Sequence, residues 1–345
     1  MEADYAVDPV RSGPGKGSER RTMSAAILVT GGTGTVGRKL VRKLVAAGRD
    51  VRVLSRKDRP GVEPGTPKLP DWPDWFVGDL RTGHGLAKAL EGVGIVVHCA
   101  SVPGHDVEAT AQLLIAATRA EKPHIVYPSM IGADRIEDAA YRDRRAIERL
   151  LADSELPWTV VRVGHLHEHI DAALRRASRK PWMFVPADTS YQPIAAEDVA
   201  NRLVDLCTPM QAHQLPDVGG PEIIDAEDLT AYWLNVVGKK RKLIPVRKRG
   251  KLYAGYREGW HLAPDRLVGH QTFAEFMTEL MAAQGKPAED KAEAKAAAKA
   301  AAKEEKAKKA KEPKPPKEKR RRGQDAATAD DASAEASESG DKTPS

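Results

Sequence analysis

Between residues 25 and 163, short apolar runs alternate with stretches whose apolar positions recur every three to four residues. The runs at 25–29, 50–54, 75–77, 95–99, 125–127 and 159–163 carry the Val, Ile, Leu and aromatic content of strands, several of them buried on both faces. Between them, Val36, Leu40, Leu44 and Val45 mark one face of a helix over 35–47, and 86–90, 107–118 and 141–151 also read as helices. Alternating strands and helices predict an α/β fold, a doubly wound parallel sheet of about six strands. Beyond residue 163 the alternation loosens. Helices over 170–176, 197–207 and 226–237, a short strand near 183–185 and an edge strand with solvated cations within 239–251 predict a small C-terminal substrate-side region over 164–284. The whole domain is expected to span 24–284.

Residues 30–37, Thr-Gly-Gly-Thr-Gly-Thr-Val-Gly, join the first strand directly to the first helix, with Gly31, Gly34 and Gly37 in the spacing Gly-x-x-Gly-x-x-Gly. Gly31 permits the tight turn, Gly34 lets the backbone approach a pyrophosphate, and Gly37 lets the helix pack closely on the sheet. Thr33, Thr35 and Val36 complete the loop, and the helix N-terminus offers its free N–H groups to an anion. A second strand follows after Gly48, so the loop sits in a βαβ unit, the context of a Rossmann-type dinucleotide site.

Cofactor choice is read at the end of that second strand, where the chain runs Ser55-Arg56-Lys57-Asp58-Arg59. NAD sites place an acidic side chain there for the ribose 2′-hydroxyl. Here Arg56 can pair with a 2′-phosphate bidentately and Ser55 can donate a hydroxyl hydrogen bond, so NADP is the expected cofactor. Asp58 keeps NAD as the alternative. Ligands of such sheets bind beyond the carboxyl ends of the strands, which adds Asp79, Ala100, Ser101, Ser129 and Gly164 as candidates.

Segments 78–80 (Gly-Asp-Leu), 98–101 (His-Cys-Ala-Ser), 127–132 (Tyr-Pro-Ser-Met-Ile-Gly), 156–162 and 192–199 join the glycine loop in one pattern. Over about residues 25–280 the chain resembles the NmrA-like, NAD(P)H-binding branch of the atypical short-chain dehydrogenase/reductase superfamily. The resemblance implies adenine contact by Asp79 and Leu80, and cofactor contact by Ala100 and Ser101. It also implies a catalytic Ser with a Tyr-x-x-x-Lys pair on the next helix, the phenol moving the proton and the lysine lowering its pKa. Ser129 matches the serine. The helix around Tyr141 contains no lysine. Aligned on its Ala-Ile-Glu-Arg-Leu end, Ala140 stands at the tyrosine and Arg144 at the lysine; aligned on Tyr141, the partner is Arg145. The functional expectation is an NAD(P)H-dependent oxidoreductase passing hydride to an acceptor that needs little acid catalysis, such as a quinone, flavin or azo compound. The alternative is a non-catalytic NADP(H)-sensing regulatory or assembly protein.

His165, His167 and His169 alternate just past the sixth strand. No cysteine or carboxylate cluster completes a ligand set, so no metal is expected. They read instead as a polar wall of the substrate pocket, with His167 best placed as donor or acid. Trp158, Trp182, Phe184, Tyr191, Tyr232 and Trp260 are candidate apolar lining, although most large aromatics are core.

The net charge of +6 over 345 residues owes much to the tail. From residue 285 the chain becomes an Ala/Glu/Lys spacer, then a basic cluster at 319–322, then an acidic Ser/Ala-rich end. Neither this segment nor residues 1–23 can bury a core, so both are expected to be disordered. The basic stretch is a candidate for weak contact with an anionic partner, nucleic acid included. Residues 1–23 lack a secretory apolar region and no run is long enough to span a membrane. Cys99 and Cys207 are the only cysteines and are expected as free thiols of a cytoplasmic protein.

Overall fold

The computed structural model describes residues 25–58 and 73–285. The expected disordered tails lie outside the described residues.

The first half winds as β1 (Ala26–Thr30), α1 (Gly37–Ala46), β2 (Val51–Ser55), β3 (Asp74–Val77), α2 (Leu86–Leu90), β4 (Val93–His98), α3 (Asp106–Arg119), β5 (His124–Met130), α4 (Ala139–Ala152) and β6 (Trp158–Val163). The second half adds α5 (His167–Ala177), β7 (Trp182–Pro186), β8 (Ser190–Tyr191), α6 (Ala196–Asp205), β9 (His213–Gln214), β10 (Ile224–Asp225), α7 (Ala226–Val236), β11 (Lys242–Val246), α8 (Lys251–Arg257) and α9 (Phe273–Gly285).

The main sheet has seven strands in the order β3-β2-β1-β4-β5-β6-β9. Every pairing in it is parallel. The order reverses between β1 and β4, which is where such sheets open a crevice. Alternate residues of β1 face opposite layers. Leu28 joins Leu113, Ile125 and Ile147 on the side covered by α2, α3 and α4, while Ile27 and Val29 pack with Leu40, Leu44, Val199 and Leu203 of α1 and α6. Both faces are buried, which is why these strands read as continuous apolar runs.

The expected six-strand sheet gains β9, a two-residue strand with exposed side chains and a left-handed φ of 52° at His213, so it leaves no apolar pattern to read. The expected edge strand within 239–251 is shorter. It is β11, paired parallel with β7 in a sheet of its own, and Lys251 opens α8. Helix α9 was not foreseen, yet it carries a capping box: Glu275 accepts from the Thr272 backbone N–H at 2.8 Å, and Thr272 Oγ1 accepts from the Glu275 N–H at 3.2 Å.

Helix α9 covers a third cluster, in which Trp233 lies fully buried against Met183, Leu229, Phe273 and Met277. The Trp233 indole N–H donates to Asp171 at 2.8 Å, and Asp171 also accepts from Arg175. On the other side, Arg162 of β6 holds Glu148 of α4 through two bonds of 2.9 and 2.7 Å and pairs with Asp134 at 2.9 Å, fixing α4 over the strand ends. Trp233→Ala removes a fully buried side chain and leaves Asp171 Oδ1 without its indole donor, so it is expected to cost about 3–5 kcal/mol in denaturant unfolding. A loss under about 1 kcal/mol would contradict this packing.

Candidate functional site

At the end of β1 the chain turns at Gly31, whose φ of 69° favours glycine and whose absent Cβ would stand 2.6 Å from the Ala100 backbone. The Gly34 N–H donates to the Gly31 carbonyl at 2.9 Å, and a Cβ on Gly37 would lie 2.2 Å from that same oxygen. Helix α1 therefore starts at Gly37, two residues later than its apolar spacing suggested, pressed against the turn. Thr33 and Gly34 are exposed, Thr35 and Val36 half-buried.

The neighbouring strand ends are tied together by polar side chains. His98, the last residue of β4, bonds Thr30 Oγ1 through Nδ1 at 2.7 Å and Thr110 Oγ1 through Nε2 at 3.0 Å. Burial holds its pKa down at about 4. Just beyond, Asp106 at the start of α3 accepts from Ser101 Oγ at 3.1 Å and from the Val102 N–H, and pairs with Arg144 at 3.5 Å. Arg144 also donates to Tyr127 Oη at 2.8 Å. Ala100 and Ser101 are thus fixed on one side by the Gly31 turn and on the other by Asp106 and Arg144.

Ser129 lies on β5, paired with Arg162; its Oγ is buried and has no partner among the described residues. Tyr141 is also buried, its hydroxyl 3.1 Å from that of Tyr256. Burial raises the Tyr141 phenol to about 12. Arg145 is turned away, donating to the Ala133 carbonyl at 2.9 Å.

The histidine trio divides. His167 is fully buried under α9, stacked on Phe276 with Nε2 bonded to the Gln271 carbonyl at 3.0 Å. His165 and His169 instead line a cavity of about 230 Å³, and His165 Nε2 bonds Tyr256 Oη at 2.9 Å. Tyr256 and His261, which stack at 4.0 Å, were not among the expected site residues. Of the expected apolar lining, Phe184 and Tyr191 border this cavity, whereas Trp158 packs on the sheet. Among the described residues no group of three or more His, Cys, Asp or Glu is placed to hold a metal ion, and no helix is long and apolar enough to cross a membrane. Cys99 and Cys207 are unbonded to each other, Cys207 buried and Cys99 half-buried.

Comparison with known proteins adds a family. A family model described as NAD(P)H-binding matches residues 31–209, more than half of the chain. The chain belongs to this NAD(P)H-binding family. It is 26% identical over 225 residues to an NAD(P)H azoreductase of Xenophilus azovorans, covering 64% of this chain and 77% of that protein. It is 28% identical over 184 residues to an uncharacterised Mycobacterium tuberculosis protein, where the match covers 52% of this chain but spans only 19% of the relative's length. An Escherichia coli NADPH-dependent quinone oxidoreductase, solved with NADPH, shares the fold at a TM-score of 0.62 and 17% identity, covering 74% of this chain and 99% of that one.

The residues present fit an NAD(P)H dinucleotide. Every glycine contact in the β1–α1 turn is one that a Cβ would fill, and Gly34 is left exposed at the mouth of the first helix. Ser55 ends β2 with its Oγ accepting from the Lys57 N–H at 3.2 Å, which leaves its own proton free, and Arg56 is exposed beside it. Asp79 is half-buried and caps its own turn by accepting from the Arg81 N–H at 2.9 Å, while Leu80 is buried. Gly37→Val is expected to abolish measurable NADPH binding by calorimetry, because the side chain would have to displace the Gly31 carbonyl.

Burial also holds His165 at about 3 and His261 at about 4. With His98, these imidazoles stay neutral in the fold while titrating near 6.5 when unfolded. Their depressed pKa values therefore stabilise the fold above about pH 6.5, and that stabilisation is lost as pH falls toward 4. The three ring signals are expected not to titrate between pH 7.5 and 5.5 by NMR, and a shift in that window would contradict their burial.

Proposed function

We propose that the chain is an NAD(P)H-dependent oxidoreductase that transfers hydride to a small acceptor such as a quinone, flavin or azo compound. The observation that carries this reading is the glycine turn closed against Ala100, with Ser101 and Arg144 joined through Asp106 beside it. One cation and one helix N-terminus are thereby directed at the same strand ends. The azoreductase relative and the quinone oxidoreductase fold neighbour point to the same class of acceptor.

Reduced nicotinamide, when bound, supplies the hydride. The chain's part is to bind, orient and exclude water. Gly31, Thr33, Gly34, Thr35, Val36 and Gly37 hold the diphosphate, Ala100 and Ser101 run along the dinucleotide, and Asp79 and Leu80 border the adenine. Arg144 replaces the usual lysine as a fixed cation: burial works against its charge, but Tyr127 and Asp106 outweigh it and raise its pKa. Ser129 contributes a spare hydroxyl at the end of β5. Tyr141 stays a neutral phenol with no lysine to activate it, which suits an acceptor with modest need for acid catalysis. His167, bonded to a backbone carbonyl and covered by α9, serves the packing of that helix instead of the chemistry. We place the substrate side at 164–284 of a 24–284 domain, in a cytoplasmic protein whose basic tail has at most a weak anionic partner.

The absence of lysine from α4, together with the Tyr141 hydroxyl being taken up by Tyr256, favours a second reading as a non-catalytic NADP(H)-responsive binding protein. Acceptor-dependent oxidation separates the two. The reductase reading expects NADPH fluorescence to decay on adding 2-methyl-1,4-naphthoquinone or an azo dye; tight binding without decay supports the sensor. Cofactor preference is assigned to Ser55 and Arg56. Loss of one charge-assisted contact in Arg56→Ala is expected to weaken NADPH binding roughly ten- to hundredfold. NADH binding should be nearly unchanged, and equal losses for both would contradict the assignment.

A further inference from the structure

The substrate-side cavity has an apolar body and one polar end. Ile170 of α5, Met183 and Val185 of β7 and Leu229 of α7 form the body. Its volume of about 230 Å³ falls between the ~150 Å³ that admits benzene and the ~300 Å³ at the low end of drug-sized pockets. The Thr230 hydroxyl on its wall is already donated to the Ala226 carbonyl at 2.7 Å.

The polar end is a chain of three groups. Tyr256 Oη sits 2.9 Å from His165 Nε2 and 3.1 Å from Tyr141 Oη. A phenol oxygen has two lone pairs and one proton. With His165 as its Nε2–H tautomer and Tyr141 donating, both incoming bonds end on Tyr256 and its own proton is left to point at a ligand. Burial keeps the imidazole and both phenols uncharged. An array with a proton to donate and no charge suits a neutral carbonyl and disfavours a carboxylate or phosphate.

Its place in the fold is also informative. His165 lies two residues past the end of β6, whose last residue, Val163, pairs with Met130 at the end of β5. Met130 packs in turn against the cluster of Tyr141 and Tyr256. The polar end therefore stands beyond the carboxyl ends of the two strands that carry Ser129 and Arg162, where ligands of this sheet class bind.

We infer that this cavity binds the acceptor: a neutral, mainly apolar molecule of one to two rings whose carbonyl oxygen accepts a hydrogen bond from Tyr256, with His165 and Tyr141 as positioning residues. The role of acceptor rests on the reductase reading; the binding does not. Phe184 borders the cavity and, with Trp182 two residues earlier on the same strand, is about half exposed, so apolar surface continues outward for a longer substituent.

The test is calorimetry on the full chain without nicotinamide, titrating 2-methyl-1,4-naphthoquinone and naphthalene in parallel. Both are expected to bind, and Ala173→Phe, which fills the cavity from an exposed position on α5, is expected to abolish both. Tyr256→Phe should weaken the quinone roughly three- to tenfold, the loss of one hydrogen bond, and naphthalene less than about twofold. Tyr141→Phe should give the same split at smaller size. Absence of binding, quinone binding unchanged in Ala173→Phe, or equal losses of both ligands in Tyr256→Phe would overturn the inference. Because no nicotinamide is present, such a failure leaves the reductase reading standing. Failed NADPH oxidation, conversely, would leave a positive binding result intact.

Discussion

The contact on which the site depends is between pieces of backbone. The Gly31 carbonyl accepts from Gly34 while lying so close to Gly37 that a methyl group there would stand 2.2 Å from it. On its other flank, Gly31 itself touches the Ala100 backbone. No side chain can substitute for these approaches, since each requires a missing Cβ. They bring the first turn of α1, the end of β1 and the segment after β4 into one place, and a helix N-terminus so placed is an anion site.

Around that point the protein uses buried polar side chains to lock loops to one another. Neutral His98 joins Thr30 to Thr110, and so β1 to α3. Asp106 takes up Ser101, Val102 and Arg144 together. Arg162 bridges Glu148 and Asp134 from the strand beneath. Farther along, Gln192, between β8 and α6, donates to the Gly220 and Ala263 carbonyls and accepts from the Ala263 N–H, tying the Gly219–Gly220 turn to the segment after α8. Breaking such a bond strands a buried group, which costs more than the bond itself is worth. These bonds tie the loops around the strand ends to the sheet and to one another.

The doubly wound half was legible because its central strands β1, β4, β5 and β6 are largely buried on both faces and helices such as α1 and α4 keep a single apolar stripe. The glycine turn was legible because its constraint is local and lies in eight consecutive residues. On the substrate side the helices α5, α6 and α7 and the strand β7 were legible as well; the rest was not, for physical reasons that differ by element. Strand β9 has two exposed residues and no pattern. The cavity's polar end joins His165 to Tyr256 across 91 residues and to Tyr141 through it, and no spacing rule links them. His167 was a more natural candidate by position than His165, but helix α9 covers the first and leaves the second facing the cavity. That helix did announce itself, through Thr272-x-x-Glu275 and the spacing of Phe273, Phe276, Met277 and Leu280. At α4 the two registers part: Tyr141, the phenol of one, is bonded to Tyr256, whereas Arg144, the cation of the other, is bonded to Tyr127 and Asp106.

The most direct measurement is a calorimetric titration of the intact chain with NADPH and with NADH. One-to-one binding, tighter for NADPH than for NADH, is the expected result, because we propose that the glycine turn receives the diphosphate and Arg56 the 2′-phosphate. No binding of either dinucleotide would contradict the site at its foundation, whatever the substrate-side cavity was then found to hold.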